Sequence, residues 1–105
     1  MRAGALDRRI EIQRAEVVQD EYGQPIETWV TVADCAAEVR PLKGIERFTA
    51  EQLAAHVDTR FRIRWLPDIT PQNRIVFDGR AYDVQAVLEL GRRDGLELLA
   101  RARAE

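Results

Sequence analysis

VDTRFRIRWL, residues 57–66, sets Arg60, Arg62 and Arg64 in strict alternation with Phe61, Ile63 and Trp65. A period of two places successive side chains on opposite faces, so this stretch predicts a strand with an apolar face and a guanidinium face. The same alternation recurs along the chain. In LDRRIEIQR, Leu6, Ile10 and Ile12 share one parity and Asp7, Glu11 and Gln13 the other, predicting a first strand over residues 8–15. VVQDEYGQP combines acids with Gly23 and Pro25, the chemistry of a long hairpin connection. IETWVTV then predicts a second strand, with Ile26, Thr28, Val30 and Val32 on one face and Trp29 on the other.

Ala33 and Asp34 break this pattern before Cys35, Ala37 and Val39 resume it, so a bend or bulge is expected to divide one ribbon into two segments closed by Pro41. Between Pro41 and Val57, Glu46, Ala50, Glu51, Leu53, Ala54 and Ala55 favour a short helix. Ile45 and Phe48 are three apart, but Thr49 and Gln52 continue their stripe, so the helix is weakly amphipathic and expected to be exposed or mobile. LPDITPQN makes a two-proline crossover. NRIVFDGRAYDV forms a hairpin on Asp78-Gly79, which suits the positive φ of a type I′ turn. Tyr82, Val84, Ala86, Leu88 and Leu90 extend the returning strand, GRRDG turns at 91–95, and LELLARARA supplies a last strand with Leu96 and Leu98 inward. Six or seven short strands and one short helix, in 105 residues, predict a single mainly β domain, a small antiparallel barrel or sandwich. Trp29, Phe61, Ile63, Trp65, Phe77 and Tyr82 are expected to carry most of the burial, with Trp29, opposite in parity to Ile26, Thr28, Val30 and Val32, packing either beneath the long hairpin or against a neighbour.

Bulk charge argues against a dedicated phosphate binder. The chain has 16 Lys+Arg against 18 Asp+Glu and a net charge of −2, whereas such binders are usually basic. The first ten residues, MRAGALDRRI, have no apolar run behind their charges, and no stretch approaches the length of a membrane span, so an intracellular, membrane-free protein is expected. Serine is absent, which removes a serine nucleophile, and no glycine-rich phosphate loop is present. Cys35 and His56 are the sole cysteine and histidine. They form no metal cluster, and Cys35 sits on the apolar parity of a strand, where a small buried hydrophobe is expected. Asp78 and Asp83 fall in turn or outward positions. No cofactor, metal or catalytic residue is expected.

The arginine row admits three roles: a nucleic-acid groove, a solvated face paired across strands with Glu or Asp, or a subunit interface met by carboxylates of a neighbour. A base-stacking groove needs aromatics beside the cations, and Phe61 and Trp65 have the opposite parity.

Taken in order, several motifs resemble the head-tail joining, or stopper, family of long-tailed bacteriophages and gene transfer agents, nearly end to end. They are Gly4, Leu6, Arg9 and Ile12 to Arg14; Gly23 before Thr28-Trp29; Ala37 to Val39 running into Pro41, Leu42, Gly44 and Glu46; Ile63-Arg64; and Arg74-Ile75 ahead of Gly79-Arg80-Ala81-Tyr82. The resemblance implies a structural protein of the head-tail connector, without catalysis, placed in a virion or phage-like particle and made in the bacterial cytoplasm. It implies a ring of about six or twelve copies of the chain itself, lying below the portal-adaptor complex and meeting tail terminator or tail tube proteins. Packaged double-stranded DNA would pass through the channel without sequence-specific binding. The segment Lys43, Gly44, Ile45, Glu46, Arg47, Phe48, Thr49, Glu51 and Gln52 would be the channel gate. Arg60, Arg62 and Arg64, with Tyr22 and Gln24, would meet neighbouring subunits. Two other classes stay open: a small OB-like nucleic-acid-binding barrel, and a small hydrolase or isomerase barrel whose pocket is invisible in sequence.

Overall fold

The computed structural model describes residues 5–52 and 56–103. Gly4 and the helix-favouring Leu53, Ala54 and Ala55 lie outside the described residues. Six antiparallel strands and one helix follow in chain order: β1 (Arg8–Gln19), β2 (Pro25–Pro41), α1 (Gly44–Glu51), β3 (Thr59–Arg64), β4 (Arg74–Phe77), β5 (Arg80–Leu90) and β6 (Gly95–Ala102). The sheet closes on itself in the order β1-β2-β3-β6-β5-β4, and pairing of Glu11, Ile12 and Gln13 with Val76, Ile75 and Arg74 seals β4 to β1. Closure leaves no free sheet edge around the barrel.

The alternating residues fill the interior as the period of two requires. Ile10, Ile12, Phe61, Ile63, Ile75 and Leu98 are fully enclosed, with Val84, Leu96, Ala37 and Ala100 completing the core. Phe61 is its centre, meeting the edges of Tyr82 at 5.1 Å and Phe77 at 6.1 Å. Each such edge-to-face pair adds about 0.5–1.5 kcal/mol beyond area burial. Trp65, Phe77 and Tyr82 are half-buried against this core, so aliphatic side chains supply more of the enclosed surface than the aromatic expectation allowed. Asp78 and Gly79, at φ +53° and +75°, make the left-handed pair of the β4–β5 turn as expected. In the crossover from β3 to β4, Leu66 and Ile69 pack on the core. Buried Asn73 pins that crossover: its Nδ2 donates to the Gln13 carbonyl at 3.1 Å and its Oδ1 accepts from the Thr70 N–H at 2.8 Å.

Four expectations need correction. The first strand runs on to Gln19, and the connection shrinks to the turn Asp20–Gln24. The Asp20 N–H donates to the Gln24 carbonyl at 2.9 Å, and the Gly23 N–H donates back to the Asp20 carbonyl at 3.0 Å. Charged residues there read as loop, but cross-strand bonds continue because β-branched Val17, Val18, Ile26 and Thr28 suit an extended backbone. Second, the expected bulge is present but does not divide the ribbon, and β2 is one continuous strand. Ile12 pairs with Ala33 and Gln13 with Thr31, leaving Val32 as a single-residue bulge that switches parity without a break. Third, β5 carries its own bulge at Gln85, between Val84 opposite Ala100 and Ala86 opposite Leu99. Beyond it Val87 packs on the main core, while Ala86 and Leu88 turn to a second cluster formed by Leu42, Ala50, Val57 and Leu99. Fourth, Trp29 is absent from the core. It lies half-buried, with the Arg74 guanidinium 4.2 Å and the Arg103 guanidinium 5.2 Å from its ring centroid.

Phe61→Ala should lower unfolding free energy by about 3–5 kcal/mol, because a fully enclosed aromatic leaves a cavity that the closed barrel cannot collapse; chemical denaturation measures it. Ala50→Asp should instead place an unpaired carboxylate in the small cluster under α1, costing about 1–3 kcal/mol. Hydrogen exchange should then show α1 opened while β1–β6 keep their protection.

Candidate functional site

The segment after β2 begins without the usual devices of a helix start. Lys43 occupies the N-cap position and makes no side-chain cap bond, and Gly44 has φ +56°, a conformation that costs glycine little. Eight residues are too few for a helix to persist in water by propensity. α1 is therefore held by what it touches, and Ala50 is its one buried residue. Arg47 and Glu51 pair across one turn at 3.0 Å. Ile45 and Phe48 stand 83% and 67% exposed. The expectation of an exposed, weakly anchored element agrees with this geometry.

At about 100° per residue, Ile45, Glu46, Thr49 and Ala50 share one arc of the helix, and Gly44, Arg47, Phe48 and Glu51 the opposite one. The first arc, with Leu42, Arg60, Arg62, Glu97 and Leu99, lines a groove of about 300 Å³ between α1 and the outer face of the barrel. The structure thus brings part of the expected gate segment and two of the expected interface arginines together. Lys43, Arg47, Phe48, Glu51, Gln52 and Arg64 do not line the groove.

The arginine row lies on the outer face of β3, opposite Phe61 and Ile63, as the alternation requires. Its members differ in environment. Arg62 Nε donates to Glu97 Oε1 at 3.0 Å. Arg60, only 12% exposed, lies 3.6 Å from both Glu38 and Glu97, yet its buried Nε makes no hydrogen bond. Arg64 is exposed. Arg40, which also reaches Glu38 and Glu46 at 3.9 Å, sits directly opposite Arg60 in the β2–β3 register. Two arginines facing each other repel, and Arg40, Arg60 and Arg62 share the nearby carboxylates of Glu38, Glu46 and Glu97. Two of the three arginines in the row therefore have partners within their own chain.

Tyr22 and Gln24 occupy the tip of the β1–β2 hairpin. Asp20 Oδ1 accepts the N–H groups of both at 2.9 Å, and Gly23 takes φ +80°. This organised turn leaves Tyr22 81% exposed. Sequence reading missed the exposed Val17, Val18 and Ile26 along the same arm, and the Arg74–Trp29–Arg103 stack at its base. Asp83 Oδ1 holds Arg103 Nε at 2.7 Å, and Gln13 Oε1 holds Arg74 Nε at 2.7 Å. Burial and the neighbouring Arg103 push the Arg74 pKa down. The parity of Trp29 against Ile26 and Thr28 was the available signal for that stack. The adjacent Leu98-Leu99 was the signal for the second cluster, because neighbouring apolar residues in a strand need cover on both faces.

Catalytic geometry is not assembled around the remaining candidates. Half-buried Cys35 packs against the main core and burial pushes its thiol pKa up, with Arg9 opposing and Asp34 adding to the shift; a thiol held protonated in this way is a poor nucleophile. His56 is exposed at φ +60°, in the turn before Val57. Among the described residues, no group of three or more His, Cys, Asp or Glu side chains is placed to hold a metal ion, and no helix is long and apolar enough to cross a membrane.

Known proteins resemble this chain over nearly its full length. The solution structure of protein SF1141 from Shigella flexneri 2a superposes with a TM-score of 0.81 at 30% identity, covering 100% of this chain and 99% of that one. A chain in the virion of a native gene transfer agent particle shares the fold with a TM-score of 0.58 at 20% identity, covering 93% and 96% respectively. Among curated proteins none matches. The family model for the phage head completion protein matches residues 1–103. Matched by that model over residues 1–103, the chain belongs to the phage head completion protein family and has a structural role in phage head assembly within the virion.

Proposed function

We propose that the chain completes the head by forming a ring in the head-tail connector below portal and adaptor. There it closes the channel on packaged DNA and offers the docking surface for tail terminator or tail tube proteins. Family membership across residues 1–103 supports the place in head assembly, and the gene transfer agent virion supplies a structural relative from such a particle. The observation that carries the gate is α1: a helix without a side-chain N-cap and with one buried residue, presenting Phe48 to solvent at 67% exposure. An exposed large apolar side chain on a weakly held element gains by meeting copies of itself at a ring axis, where burying each ring contributes about 1.5–3 kcal/mol.

The remaining gate residues serve this geometry. Gly44 provides the bend after β2, and the Arg47–Glu51 pair keeps the outward arc nearly neutral, so DNA phosphates slide past without being held. Arg60, Arg62 and Arg64 serve association between subunits. Their own-chain carboxylates already compete with phosphate at two of the three positions, which disfavours the OB-like nucleic-acid reading.

Phe48→Ser should leave thermal stability within about 0.5 kcal/mol, since the side chain is exposed. Heads carrying it should recruit the protein normally yet lose packaged DNA. Full DNA retention would locate the gate elsewhere. Replacing Arg60, Arg62 and Arg64 together by Gln should weaken attachment to the connector while leaving the affinity for duplex DNA unchanged. A salt-sensitive loss of DNA binding with normal attachment would reverse that assignment.

A further inference from the structure

The exposed large apolar side chains among the described residues fall on two elements. Val17, Val18, Tyr22, Ile26 and Val32 lie on the β1–β2 ribbon, and Ile45 and Phe48 lie on α1. Their electrostatic settings are opposite. Between Ala15 and Glu27 the chain has Glu16, Asp20, Glu21 and Glu27 and no lysine or arginine. The α1 groove is lined by Arg60 and Arg62 against Glu46 and Glu97; Arg40 and Glu38 pair next to them. Lys43, adjacent in the chain to the groove residue Leu42, and Arg64, two residues beyond Arg62 on the same strand face, add two further cations. On the arm, Asp20 is consumed by the turn and Glu16 by Arg14 at 2.7 Å. Glu21 and Glu27 remain exposed. On the groove side, the buried Arg60 Nε lacks a hydrogen bond.

These two surfaces cannot meet within one molecule. The arm begins at one end of β2 and α1 follows its other end, 17 residues away. At about 3.3 Å per residue, that strand spans on the order of 50 Å, the scale of the molecule's 48 Å long axis. We propose that the acidic, apolar β1–β2 arm of one copy seats in the α1–β3 groove of a second copy of this chain, Tyr22 and Val17 covering Ile45 while Glu21 and Glu27 meet the surplus arginines. A contact joining two different patches is head-to-tail, and repeated it closes a ring where its rotation is a whole fraction of a turn. The proposal rests on the ring assembly proposed above and supplies its contact. It leaves Phe48, about 60° around the helix from Ile45 and outside the groove lining, free for the channel, and each copy's gate helix is then braced by its neighbour's arm.

Disulfide trapping on the purified chain tests the contact apart from its biological role. In a Cys35→Ala background, Gln24→Cys and Thr49→Cys place one thiol at the arm tip and one in the groove without removing the apolar residues. Mixed in equal amounts and mildly oxidised, the two variants should yield the mixed disulfide dimer in about fivefold excess over both self-dimers, corresponding to about 1 kcal/mol of preference. Glu21→Lys with Glu27→Lys on the arm variant should abolish the excess, as should Lys43→Glu with Arg64→Glu on the groove variant. Both reversals together should restore it, which also shows that the reversed chains still fold. A random mixture, a dominant arm-to-arm dimer, or an excess indifferent to charge reversal would overturn the proposed contact. Incorporation of the unmodified chain into heads is measured separately, so failure of the contact is distinguishable from failure of the head-completion reading.

Discussion

One unpaired residue lets β2 serve two purposes. Val32 stands between the Ile12–Ala33 and Gln13–Thr31 pairs with no partner of its own. C-terminal to it, the odd-numbered Ala33, Cys35, Ala37 and Val39 face the core. N-terminal to it, the ribbon leaves the barrel and both its faces meet solvent, apart from the Trp29 stack. Strict alternation through this point would turn Ala37 and Val39 outward and Glu38 inward, which a closed apolar interior does not tolerate. The bulge reconciles a long arm with a sealed barrel, and bulges also sharpen local twist, directing the ribbon away from the sheet.

The Gln85 bulge is its counterpart on the opposite side. It lets β5 give Val84 and Val87 to the interior while Ala86 and Leu88 reach the outer face. There they join Leu99, Leu42 and Val57 as the platform on which Ala50 seats α1. The helix thus sits on the outer surface because two strands, β5 and β6, present apolar residues on both faces at this one place. The same outer face continues into the arginine row of β3. The groove therefore combines an apolar floor with a crowded set of guanidiniums, a composition typical of protein contacts and unlike the stacking platforms that hold single-stranded nucleic acids.

Much of the barrel was legible in the chain because period two is a local property. The face of Phe61 and Ile63, the inward Leu96 and Leu98, and the Asp78-Gly79 turn each depend on a few consecutive residues and on backbone sterics. The extension of β1 and β2 into an arm was not legible, because polar residues between Glu16 and Glu27 carry the composition of a loop while their backbone bonds are those of strands. Trp29 was misplaced for a related reason. Its size suggests burial, yet beyond Val32 the barrel interior has ended, and stacked guanidiniums cover the ring instead. The gate segment's exposure was visible in its poor apolar stripe, whereas the single anchor at Ala50 depended on a second cluster drawn from distant segments.

By itself, the sequence determined the class of the fold, which strand faces are apolar, and the turns set by glycine positions, since these follow from residue spacing and local sterics. It also held, in the order of its motifs, the signature of the head completion family. Only the tertiary structure decided where each alternation slips by one residue, that Arg60 and Arg62 meet Glu38 and Glu97 of their own chain, and that Ile45 and Thr49 share a groove with those arginines. These depend on register between strands far apart in sequence: a one-residue bulge changes which face every later side chain occupies, and no local pattern records the partner strand that imposes it.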